Sequence, residues 1–146
     1  MCAAKFVLPG RPQTYKPPRH RYGQKHFYCG HKKEIKAARK VLEKSWGSRE
    51  SLRDCPVKLV IRACGEEIPH FGRPQSHFKK GHLRLNAPTH VLKTPDADNV
   101  AKFVLDAVQK KILTDDKLVT TLVVKKLWCL TKEDQRTEVE LLVSSH

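Results

Sequence analysis

The chain has 146 residues and carries 29 Lys and Arg against 15 Asp and Glu, a formal charge of +14. That length is one domain's worth, and the 39% hydrophobic content supplies a modest core. So large a positive excess repels itself unless a polyanion binds; nucleic acid is the obvious one, and no run of 18 apolar residues exists to span a membrane.

In chain order, residues 5–8 read as a short strand and residues 10–12 as its turn. Residues 15–31, rich in Pro, Lys, Arg and His, form a basic loop. Over residues 32–46, Ile35, Ala38, Leu42 and Trp46 recur at helical spacing, while Lys32, Lys36, Arg39, Lys40 and Glu43 occupy the other positions. The pattern predicts an amphipathic helix with a basic outer face. Val57, Leu59, Ile61 and Ala63 then alternate with Lys58, Val60 and Arg62, the period of a strand. Residues 66–92 lack periodicity, and so long a loop is usually functional or disordered. Asp98 or Asn99 can cap a helix over residues 100–111 whose apolar face is Val100, Phe103, Val104, Ala107 and Val108. Two β-rich runs, 118–128 and 137–143, finish the chain and suggest a hairpin around residues 132–136. The expected fold is therefore a small single α/β domain of α+β type, residues 1–146, with a mixed sheet and two main helices.

Cys2, Cys29, Cys55, Cys64 and Cys129 are odd in number and contain no Cys-x-x-Cys, which excludes a disulfide framework and a zinc ribbon. Reduced, mostly buried thiols are expected. Met1 opens no apolar secretory run, so the expectation is a soluble intracellular protein. Residues 1–33 hold no acid, as in organellar transit peptides, which leaves cytoplasm, nucleus and organelle open.

Charge is unevenly placed. Residues 1–93 hold 21 bases and 6 acids, residues 94–146 hold 8 and 9, and five of the seven aspartates fall between positions 96 and 116. In TPDADN, residues 94–99, Pro95 biases Thr94 toward extended backbone, where Asp96 and Asp98 point to one side and can share a cation. Lys102 lies one helical turn beyond Asp98. A third carboxylate comes from Asp115 or Asp116: ten helical residues advance about 15 Å, and the six residues before Asp115 can span about 20 Å back. Such a cluster is costly unless a cation fills it, and oxygen-only ligands favour Mg²⁺, with Mn²⁺ as substitute. Beside phosphodiester backbone this is the logic of a nuclease.

Each feature also has a plainer reading. Asp98 or Asn99 serves as a cap, Asp115 and Asp116 as a turn, and Lys102 as a surface partner of Asp98 or Asp106, worth about 0.3 to 0.5 kcal/mol. Asp106, four residues beyond Lys102, reads as orienting that lysine rather than binding metal. Lys16, Arg19, Arg21, Lys25, Lys79, Lys80 and Arg84, interleaved with Tyr15, Tyr22, Phe27 and Tyr28, suit phosphate contact and base stacking. His77 and His82 lack a second convincing pair for zinc. Trp46 and Trp128 read as core or interface residues.

The string KTPDADNVAKFVLDAVQKKILTDDKLV, residues 93–119, resembles the signature of RusA-type Holliday junction resolvases: Asp-x-Asp-Asn-x-x-Lys, Leu-Asp-Ala, then an Asp pair. Residues 8–21 resemble the family's opening strand and basic loop, and residues 74–80 its variable basic segment. The resemblance implies that Asp96, Asp98 and Asp116 ligate metal, that Lys102 stands near the scissile phosphate, and that Asp115 is a supporting or alternate ligand. It also implies a homodimer that nicks four-way DNA junctions symmetrically. Two departures stand out. Thr94 separates Lys93 from Pro95, and the glycine common before the Asp pair is missing from QKKILT, residues 109–114. The alternatives are a non-catalytic basic nucleic-acid-binding protein, or a nuclease of this fold acting on flaps, forks or RNA.

Overall fold

The structure, a computed structural model, describes residues 2–15, 19–20, 27–28, 32–65, 75–92, 95–129 and 132–144. Strand β1 (Cys2–Pro9) opens the chain, β2 (Arg19–His20) and β3 (Phe27–Tyr28) form a two-residue antiparallel pair, and helix α1 (Lys32–Trp46) follows. Next come β4 (Val57–Cys64), the short β5 (Phe78–Lys79) and β6 (His82–Leu83), helix α2 (Ala97–Val108), β7 (Val119–Leu127) and β8 (Arg136–Val143). The main sheet is ordered β1-β8-β4-β7, with β4 and β7 parallel and the other neighbours antiparallel. This is the mixed-sheet α+β domain that the periodicity predicts.

Val57, Leu59, Ile61 and Ala63 of β4, with Val139 and Leu141 of β8 and Phe6 and Leu8 of β1, line the buried face of the sheet. Onto it α1 lays Ile35, Ala38, Leu42 and Trp46, and α2 lays Val100, Ala101, Phe103, Val104, Ala107 and Val108. Leu42, Val104 and Val108 are wholly covered, and each such side chain contributes about 1.5 to 3 kcal/mol through burial. Between the helices, the Arg39 guanidinium donates two hydrogen bonds to the Asp106 carbonyl, at 3.3 and 2.9 Å. Cys64 and Cys129 are buried free thiols and Cys55 a half-buried one. Desolvation pushes the Cys64 thiol above its ordinary value.

Three expectations need correction. β7 and β8 do not form a hairpin; β4 lies between them, and its residues are buried along nearly the whole strand, as suits one flanked on both edges. The second helix starts at Ala97 and stops at Val108, so Asp96 rather than Asp98 or Asn99 holds the cap position. Within the expected 66–92 loop, residues 78–83 form a β-hairpin. Its turn residues Lys80 and Gly81 both have positive φ, 51° and 78°, the pattern of a type I′ turn.

The direction of α2 positions everything that follows. Just before the helix, the Val91 N–H donates to the Lys126 carbonyl at 2.9 Å, at the C-terminal end of β7, and the Tyr15 N–H donates to Asn99 in the first helical turn. Just after it, the Leu52 N–H donates to the Ile112 carbonyl at 2.8 Å, ahead of the first residue of β4. Parallel strands need a return path between them, and α2 supplies it. It starts beside the strands' C-terminal ends and finishes beside their N-terminal ends.

Candidate active site and nucleic-acid interface

Asp96 and Asp98 flank the start of α2, and both are exposed. Asp96 occupies the cap position with extended backbone, yet its carboxylate makes no capping hydrogen bond. Asp98 sits in the first turn, where the helix dipole favours an anion. Asp98 therefore stands in the first turn of a helix and Asp96 at its cap position, not together in an extended segment as expected. The Lys102 ammonium lies 3.8 Å from Asp98 and 5.7 Å from the centre of the Tyr15 ring. Tyr15 is fixed there by its backbone bond to Asn99. With side chains 56% and 69% exposed, the Lys102–Asp98 pair contributes little to stability. The pair does hold an ammonium beside Asp98 at the helix start.

The second pair of acids lies elsewhere. Asp115 caps a single 3₁₀ turn, Asp116–Leu118, by accepting a hydrogen bond from the Lys117 N–H at 3.0 Å. The Lys117 ammonium adds a contact of 3.6 Å. That backbone hydrogen bond, helped by Asp116 and the Lys117 charge, holds the Asp115 carboxyl below its ordinary range. Asp116 remains exposed.

The expectation that the acids close into one cluster within a chain is not met. Among the described residues no three His, Cys, Asp or Glu side chains group closely enough to hold a metal ion. Helix α2 advances about 15 Å between Asp98 and Val108, and residues 109–114 do not return that distance. They form a compact turn instead: the Leu113 N–H donates to the Val108 carbonyl at 3.0 Å, and Ile112 and Leu113 are buried at 1% and 0% exposure. Two apolar side chains in the core outweigh an extended path back along the helix. The missing glycine is also accounted for, since Lys110 takes up a φ of 76°, in the region glycine favours.

Asp106 gives its carbonyl to Arg39, while Lys102 turns toward Asp98. Lys79, Lys80 and Arg84 line an open hollow of about 540 Å³ on the β5–β6 hairpin, together with His82, Leu83 and Leu85. The base of the hairpin is anchored by His77, whose ring stacks edge-on against Trp128 at 5.3 Å. Lys16, Arg21, Tyr22 and Lys25 lie outside the described residues, as do the side chains of Arg19, Phe27 and Tyr28. Lys117 was not anticipated. The Asp-x-Lys spacing at 115–117 is the signal, since an aspartate readily accepts from the N–H two residues on.

Fold and side chains together give a basic α+β domain with two exposed carboxylates and a lysine at one helix start. Residues 9–142 match the family described as Endodeoxyribonuclease RusA, and the chain belongs to that family. The family supports nuclease activity on DNA. No curated protein matches the sequence. Among the described residues, no helix is long and apolar enough to cross a membrane.

Proposed function

We propose that the protein is a metal-dependent endodeoxyribonuclease that cuts four-way DNA junctions, and that each of its active sites is completed by a second copy of the chain. The observation that carries this reading is the separation of the acids: Asp96 and Asp98 stand at one end of α2, Asp115 and Asp116 beyond the other. The donors are right in kind for Mg²⁺ or Mn²⁺, being carboxylate oxygens without sulfur or imidazole. A single chain offers only half of them at either end. A homodimer that sets the start of α2 of one protomer against the 3₁₀ turn of its partner unites Asp96 and Asp98 with Asp116. Asp115, engaged by Lys117, supports rather than ligates.

A hard divalent ion bound there supplies charge neutralisation and an acidified water at the scissile phosphate. The chain's own contributions are the following. Asp96 offers a carboxylate that the helix does not use for capping, and Asp98 an exposed one beside Lys102. Lys102, steadied by Asp98 and the Tyr15 ring, places a fixed positive charge where a phosphate oxygen enters. Lys79, Lys80 and Arg84 grip backbone without reading sequence. A two-fold dimer presents two such sites to a substrate that is itself nearly two-fold, so paired nicks follow from symmetry.

The test uses Asp98→Asn and Asp116→Asn, co-expressed with different tags and purified as the mixed dimer. In the mixed dimer one shared site carries both substitutions and the other carries neither. Each variant alone should leave a labelled four-way junction uncut in Mg²⁺, and the mixed dimer should nick it. A silent mixed dimer, with wild type active, means that each chain holds its whole site. Wild type that binds the junction but cuts neither it nor flaps, forks, linear duplex or RNA in Mg²⁺ or Mn²⁺ overturns the nuclease reading for a packaging one. Cutting confined to flaps, forks or RNA overturns the junction assignment.

A further inference from the structure

Helix α1 carries a feature that the cutting site does not use. Lys32, Lys36, Lys40 and Lys44 follow one another at four-residue intervals along its outer side, with Lys33 beside the first, and all five are exposed. The apolar ridge Ile35, Ala38, Leu42 and Trp46 occupies the other side, in the core. None of the five lysine side chains forms an ion pair or hydrogen bond with another described residue. For the helix alone this is a poor arrangement. Like charges at i,i+4 destabilise a helix, and lysines in the first turn oppose its dipole, with Glu34 the acid there. Glu43 interrupts the stripe only near its end.

We propose that this ridge is a second nucleic-acid contact, a track for the phosphate backbone of a duplex arm running away from the cutting site. It rests on the nuclease reading above and extends it to a surface outside the acids and the hairpin. From Lys32 to Lys44 the helix rises about 18 Å, a length beside which each strand of duplex presents about five phosphates. Lysine suits the task, being a compact point charge on a flexible stem that follows backbone without selecting bases. An anionic membrane, the other large polyanion, fits less well. A helix lying in a bilayer surface must insert its apolar face, and that of α1 is sealed in the core. Arg39 fastens α1 to α2 through the Asp106 carbonyl, so the track runs beside the helix whose start bears Asp96 and Asp98.

The experiment replaces Lys32, Lys36, Lys40 and Lys44 together by Gln, a good helix former, and confirms unchanged helicity by circular dichroism. Affinity for long-armed and short-armed four-way junctions is then measured across a salt series. The slope of log K against log salt should become shallower by about 0.9 for each phosphate no longer neutralised, about two to four phosphates in all. Affinity for the long-armed junction should fall at least about tenfold as those phosphates go without a lysine, and for the short-armed one far less. Cutting at saturating protein should be unchanged. Unaltered slope and affinity, with wild-type cutting intact, overturn the track and leave the nuclease reading standing. Wild type that neither binds nor cuts any DNA removes both. Stronger ridge-dependent binding to phosphatidylserine vesicles than to duplex reassigns the surface to lipid.

Discussion

The two ends of α2 hold their acids in opposite ways. At the start, the aspartates are exposed, the neighbouring Asn99 carbonyl accepts a hydrogen bond from the Tyr15 N–H, and the Asp96 carboxylate is left out of the capping role its position invites. Beyond the far end, Asp115 is already engaged with the Lys117 N–H and ammonium, and the turn that presents it stands on the buried Ile112 and Leu113. At the start an exposed ion pair from Lys102 engages Asp98; beyond the far end Asp115 is held by both a backbone N–H and an ammonium. The lesson is that four nearby aspartates in a sequence are not four equivalent ligands. Asp96 makes no capping bond, Asp98 faces the Lys102 ammonium, and Asp115 accepts from the Lys117 N–H beside the exposed Asp116.

That contrast is broken most directly by substitution at each position. Asp98→Asn and Asp116→Asn should each lower cleavage by more than the roughly 100-fold that loss of an outer-shell partner costs at a metal site. Affinity for the junction should hold or improve, since each change removes a negative charge facing phosphate. Asp115→Asn should be milder, because the amide oxygen can still accept from the Lys117 N–H. Single-turnover cleavage and equilibrium binding on the same substrate decide it. Equal losses at positions 115 and 116 would erase the distinction drawn between them.

Much of this was legible in the sequence, and the failures have physical causes. The apolar periods of residues 32–46 and 57–63 located α1 and β4 because those faces are core faces, with Leu42, Val57, Leu59 and Ile61 wholly buried. The motif at residues 96–116 located the acids and led to the family. Strand order was not legible, because β7 and β8 are adjacent in sequence but the most apolar strand took the central place. Nor was the separation of the acids, since reach along the chain says only where six residues can go. Where they do go is decided by Ile112 and Leu113, two apolar residues inside a segment that reads as a mere link.

The far turn carries a strain that the helix start lacks, and this gives a second test. Lys110 has φ 76°, which costs a non-glycine residue about 1 to 2 kcal/mol. Lys110→Gly relieves it while adding freedom to the unfolded chain. The net expectation is a gain of about 0.5 to 1 kcal/mol, read as a higher urea midpoint at constant slope. The surroundings favour retention of the turn, since Ser51 donates through its hydroxyl to the Lys110 and Lys111 carbonyls at 3.2 and 2.7 Å. A destabilised variant would mean that the lysine side chain contributes more than its backbone costs.

The smallest effect concerns acid. Asp115 has its carboxyl held below the ordinary range chiefly by the Lys117 N–H, then by Asp116 and the Lys117 charge. A carboxyl depressed on folding lends stability above its unfolded value, and that contribution is lost as pH falls through the depressed folded value. Comparing wild type with Asp115→Asn in urea, the advantage of wild type should therefore be constant from neutral pH down to the ordinary carboxylate range and then shrink. Because the group is half-exposed, the whole difference is small. Carbon-13 titration of the carboxyl sharpens the point. Lys117→Met removes the ammonium but leaves the N–H, so the midpoint should move only part of the way back. Complete return to the ordinary value would give the ammonium the leading role, and Asp115 would then be held by the kind of surface ion pair that links Lys102 to Asp98 at the opposite end.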